Sequence, residues 1–90
     1  MTFAEQLDLL NAAPLLDAEW YGACYPDVAL AGMSPAEHYL KYGALMGRDP
    51  GPDFSTRFYQ KQNPDVADSE QNPLVHYLTF GQAEGRATKP

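Results

Sequence analysis

Cysteine is almost missing from this chain: Cys24 stands alone among 90 residues, which rules out an internal disulfide and any multi-cysteine metal site. That single thiol reads as a small buried apolar residue. Basic side chains are scarce as well. Six Lys and Arg against twelve Asp and Glu leave a net charge of −6 and a pI near 4.5. Such a surface repels phosphate backbones and anionic lipid headgroups, so no nucleic-acid partner is expected. The imbalance sits in residues 1–50, with seven acids and two bases, whereas residues 51–90 hold five and four. No apolar run approaches the ~20 residues that cross a bilayer, so no membrane insertion is expected. Met1-Thr2-Phe3-Ala4-Glu5 lacks the basic start and apolar centre of a signal peptide. The expected location is therefore cytoplasmic, or within an assembly released or displayed without an amino-terminal signal. Phosphate-binding glycine loops, calcium loops and nucleophile elbows are absent too. Nothing alternates with period two over a useful length, so no strand is expected.

What is present is a duplication. Tyr21, Pro26, Asp27, Val28, Ala29, Pro35, His38, Tyr39, Leu40, Gly43, Gly47 and Arg48 each recur 38 positions later. They return as Tyr59, Pro64, Asp65, Val66, Ala67, Pro73, His76, Tyr77, Leu78, Gly81, Gly85 and Arg86. One supersecondary unit made twice, each copy covering its neighbour, accounts for such a pattern. Hydrophobic residues make up 44% of the chain, too many for disorder, and the 90 residues form a single domain. So small a domain has a thin core and little room for a deep catalytic cleft. The chain is read as not an enzyme, with no cofactor.

Three segments follow: a lead-in at 1–15, a first copy at 16–50 and a second at 54–88. In the lead-in, Thr2 and Glu5 have capping-box spacing, Phe3, Leu7 and Leu10 share a helical face, and Pro14 ends the helix. Asp17 and Ser55 are matched N-caps for the first helix of each copy. Pro26-Asp27 and Pro64-Asp65 start a second short helix, which Asn63 caps by its side chain and Tyr25 cannot. Ser34-Pro35-Ala36-Glu37, again a capping box, and Asn72-Pro73 start a third helix, predicted to run to a glycine stop at Gly43 and Gly81. Asp49-Pro50-Gly51-Pro52-Asp53 is a stiff link. The fold class is all-α: two tandem copies of a ~38-residue unit of short helices plus an amino-terminal amphipathic helix, in one compact domain.

Residues kept in both copies are expected to hold the unit together. The repeat core is assigned to Tyr21, Asp27, Val28, His38, Tyr39, Leu40 and Arg48, with Tyr59, Asp65, Val66, His76, Tyr77, Leu78 and Arg86. His38 and His76 have Tyr42 and Phe80, not a second ligand, four residues on, whereas zinc requires three or four convergent donors. They are read as packed, hydrogen-bonded histidines. Asp27 and Asp65 answer the free amides of a first helical turn, and Arg48 and Arg86 reach back to them. Tyr25, replaced by Asn63 in the second copy, is the candidate for an exposed partner or glycan contact, together with Trp20.

The string Phe58-Tyr59, Asn63-Pro64-Asp65-Val66-Ala67, Asn72-Pro73-Leu74, His76-Tyr77-Leu78, Gly81, Glu84-Gly85-Arg86 resembles a short tandem-repeat module of bacterial proteins. Copy one matches more loosely, with Tyr25, Ser34 and Met46 at three of the motif positions. Similar repeats accompany polysaccharide glycosyltransferases, sulfotransferases and large secreted or surface proteins of the calcium-repeat type. The resemblance implies an accessory module with a link to surface polysaccharide, and no reaction. The expected function is a non-catalytic protein-interaction adaptor in a bacterial surface or phage-like particle assembly, with homo- or hetero-oligomeric partners. The alternative is a carbohydrate-binding module that uses exposed aromatics on surface polysaccharide.

Overall fold

A computed structural model describes residues 1–90. It contains seven short α-helices, two of which run on into π-helical turns, and no strand. The sole bridge pairs Gly51 with Phe54 in the link between the copies.

Helix α1 (Phe3–Ala12) starts on a complete capping box: Thr2 Oγ1 accepts from Glu5 N at 3.1 Å and Glu5 Oε1 accepts from Thr2 N at 2.8 Å. Its last turn gives way to extended backbone at Ala13, as the following Pro14 requires. Leu10 is fully buried and Leu7 packs against the core. Phe3, expected on that inward face, is instead exposed at the overhanging first turn, with Lys41 Nζ 5.5 Å from its ring centroid.

The remaining elements recur at the offset read from the sequence. Helix α2 (Ala18–Cys24) corresponds to α5 (Thr56–Gln62), capped by Asp17 and Ser55 through Trp20 N at 3.0 Å and Phe58 N at 3.2 Å. Helix α3 (Asp27–Leu30) corresponds to α6 (Pro64–Asp68), and α4 (Pro35–His38) to α7 (Pro73–His76). Three local expectations need correction. Asn63 does not cap α6 with its side chain; its Nδ2 donates to Tyr59 O at 2.8 Å and its Oδ1 accepts from Arg86 at 2.7 Å. Only half of the Ser34–Glu37 box forms, because Glu37 pairs with Lys41 at 3.1 Å. Cys24 is exposed at the end of α2, whose inward face is supplied by Tyr21 and Tyr25.

The third helix also departs from regular α form. After His38 and His76 the coil widens into π turns, Tyr39–Gly43 and Tyr77–Gly81. Ala44 N bonds to Tyr39 O at 3.1 Å and Gln82 N to Tyr77 O at 2.7 Å, each spanning five residues. Each π turn ends on a glycine that faces a phenol. A Cβ on Gly43 would collide with the Tyr21 hydroxyl, and one on Gly81 with that of Tyr59. These glycines admit a phenol tip and end the helical segment at Gly43 and Gly81, as the sequence spacing predicts. A turn follows, closed by Gly47 and Gly85 with φ of 76° and 71°. There Arg48 N reaches Gly43 O and Arg86 N reaches Gly81 O, both at 2.9 Å, while Gly47 N and Gly85 N bond Ala44 O and Gln82 O. Those pairings make a Schellman motif in each copy.

One core serves the whole chain. It joins Tyr21, Val28, Ala36 and Tyr39 of copy one to Phe54, Tyr59, Val66 and Leu74 of copy two, with Leu10 of α1 among them. Helix α1 packs on both α4 and α7, so it touches both copies. The copies are latched by Thr56. Its Oγ1 donates to Arg48 O at 2.7 Å, which leaves Tyr39 as the donor in the 2.9 Å bond to the same oxygen. Thr56 N donates to Asp49 Oδ1 at 2.9 Å. Each copy also closes on itself, through Asp17 N to Pro50 O at 3.0 Å and Ser55 N to Thr88 O at 2.7 Å.

Candidate functional site

The kept histidines sit inside the copies. His38 is 5% exposed and His76 8%, and neither lines a surface hollow. Tyr21 Oη meets His38 Nδ1 at 2.8 Å, and Tyr59 Oη meets His76 Nδ1 at the same distance. Burial pushes the Tyr21 hydroxyl up to about 12, against the opposing pull of the Arg48 charge, and it raises Tyr59 and Tyr39 as well. Burial, helped by Arg48, lowers the pKa of His38 and holds its ring neutral. A phenol kept protonated against an imidazole kept neutral is a cross-brace: each satisfies the other's polar atom where water is excluded. No three His, Cys, Asp or Glu side chains converge to hold a metal ion.

The acids and arginines lie further out than a core assignment implies. Asp27 and Asp65 are exposed, and Arg48 and Arg86 half-buried. Arg48 still ties the unit's end to its middle, bonding Asp27 at 3.0–3.1 Å. Its hydrogen bond holds the Asp27 carboxyl below its ordinary value. Arg86 turns instead to Asn63 and to Glu84 at 3.2 Å, leaving Asp65 at 3.9 Å. Tyr25 explains the difference. Its ring lies 4.5 Å from the Arg48 guanidinium and its hydroxyl accepts from Asp49 N at 3.1 Å. One face of that ring is thus occupied within the fold, and Trp20 packs edge-on against it at 6.3 Å, itself half-buried. Leu40, Tyr77 and Leu78 pack against the core from partly buried positions, while Val28 and Val66 are buried outright.

The surface holds what the shared residues do not. Leu30 is 90% exposed, Leu45 85% and Phe80 58%, with Met46 also exposed. At the positions matching Leu30, Leu45 and Met46, copy two carries Asp68, Ala83 and Glu84. The same fold is therefore built with small or charged residues there, and the large apolar ones are not a requirement of packing.

Two hollows of about 440 and 570 Å³ adjoin the turn between α6 and α7, with Gln6, Glu70, Gln71 and Asn72 lining both. Glu70 has φ of 60°, a left-handed conformation that disfavours a side chain by roughly 1–2 kcal/mol. Asn72 Oδ1 caps α7 through Val75 N at 3.1 Å, yet its Nδ2 is buried without a partner. Sequence reasoning assigned only the Asn72-Pro73 helix start here. The signal was nonetheless legible, since Gly32-Met33-Ser34 stands at the matching place in copy one and Gly32 has φ of 70°. No helix is long and apolar enough to cross a membrane. No family model, curated protein or solved structure matches the chain.

Proposed function

We propose that this chain is a non-catalytic adaptor whose exposed apolar side chains bind another protein. The observation that carries this reading is the contrast at three matched positions: Leu30, Leu45 and Met46 face solvent where the duplicate has Asp68, Ala83 and Glu84. Exposed aliphatic side chains that packing does not demand are accounted for by a partner that covers them. The polar groups repeated in both copies support the same reading from the other side, because the Tyr–His pairs are sealed within the copies. Resemblance to modules that accompany polysaccharide-processing enzymes and large surface proteins is the reason to seek that partner in a bacterial surface or phage-like particle assembly.

The test exchanges residues between the copies. A triple variant, Leu30→Asp, Leu45→Ala and Met46→Glu, adopts the side chains the fold already accommodates. It is expected to melt like the parent but to lose self-association or capture of the parent's partner, read by light scattering after gel filtration and by affinity purification from the source cell. A parent that stays monomeric and captures no protein sinks the proposal. So does a triple variant that associates unchanged. Binding of surface polysaccharide, abolished by Tyr25→Ala, would favour the carbohydrate alternative.

A further inference from the structure

Glu70 presents an internal contradiction that the duplication makes visible. Copy one forms the same left-handed turn with Gly32, without a side chain to strain, whereas copy two places a glutamate there. The carboxylate takes part in no ion pair. It is nevertheless the one charged side chain lining either of the two hollows. Strain kept without an internal compensation points to use of the side chain. Asn72, two residues on, lines the same two hollows, and its buried Nδ2 has no partner within the fold.

We propose that these hollows form a docking groove for a segment of a partner polypeptide that carries a Lys or Arg between apolar side chains, with the cation seated on Glu70. This deepens the adaptor reading and rests on it. The walls set the chemistry: Val75 and Phe80 line one hollow, Leu40, Leu45 and Pro73 the other, and both accept apolar side chains. Between them, the amides of Gln6 and Gln71 offer donors and acceptors that match the main chain of an extended segment. A net charge of −6 draws a cationic segment and disfavours an acidic one.

The experiment pans a random peptide display library against the whole chain, then measures the enriched peptides by fluorescence anisotropy. The proteins compared are the parent, Glu70→Gln, Glu70→Gly and, as a charge-matched control away from the groove, Glu19→Gln. Enriched peptides are expected to share a cation flanked by apolar residues. Both Glu70 variants are expected to weaken them at least about tenfold, and Glu19→Gln to leave them unchanged. Glu70→Gly keeps the turn, so a loss there is not unfolding. Failure to enrich any such peptide overturns the groove, as do peptides that bind both Glu70 variants as tightly as the parent. In either case the adaptor reading is judged separately, by whether a Leu30→Asp, Met46→Glu double variant, which spares the groove wall at Leu45, still captures the partner.

Discussion

Within each copy one buried polar ring satisfies another, and in copy one the arrangement makes stability sensitive to protons. His38 has a pKa below its ordinary value of 6.5 because burial disfavours the charged ring. In the unfolded chain that ring takes up a proton as pH falls through 6.5, whereas in the fold it resists until a lower pH. The stability it contributes is full above 6.5 and is lost as pH falls through the folded value. Asp27, also lowered, adds a second loss below 3.8. Melting temperature is therefore expected to drop on mild acidification. His38→Gln, which keeps a polar partner for Tyr21 but cannot titrate, should reduce that slope. An undiminished slope in the variant would show that another group carries it.

Among the elements, the turn joining α6 to α7 offers the clearest energetic test. Relief of a left-handed side chain, offset by the greater freedom of glycine in the unfolded chain, leaves Glu70→Gly more stable by roughly 0.5–1 kcal/mol. Urea denaturation with an unchanged m-value checks this; a less stable variant would mean that the Glu70 side chain stabilises the fold by contacts of its own. The reach of sequence reasoning divides along the same scale. Caps at Thr2, Asp17, Ser34, Ser55 and Asn72 were legible, because a cap is a bond between residues three apart. The π turns were not. They lie where the Tyr21 and Tyr59 phenols, from a helix 22 residues earlier, pack beside Gly43 and Gly81, a contact the local sequence does not display. Cys24 and Phe3 were misjudged for a related reason, since exposure is decided by which neighbours cover a helix and not by the helix's own pattern. The groove was half-legible: Glu70 opposite Gly32 was in plain sight, but the hollows and the stranded Asn72 amide exist only in three dimensions.

For the molecule as a whole, α1 and the Thr56 latch make two units behave as one. Leu10 is fully buried in the joint core, from a helix that packs on both α4 and α7. Truncation at Leu10→Ala is expected to cost about 2–5 kcal/mol, a large share of the ~5–13 kcal/mol available to a chain of this size. Circular dichroism and tyrosine fluorescence should still report a single coincident transition, shifted to lower denaturant. Separate melting of the two copies would contradict a common interior.

The closing bonds from Asp17 to Pro50 and from Ser55 to Thr88 have a further consequence. Each unit hands the chain back close to the spot where it received it, so its entrance and exit are neighbours. A block with that geometry can be copied or spliced in tandem while the adjoining block keeps its internal braces. Only the seam side chains Asp49 and Thr56 need to change, since Tyr39 keeps its counterpart in Tyr77. Ala18 and Ala87, standing where a repeat of the seam would call for Thr56 and Asp49, show such editing at the outer ends of this pair.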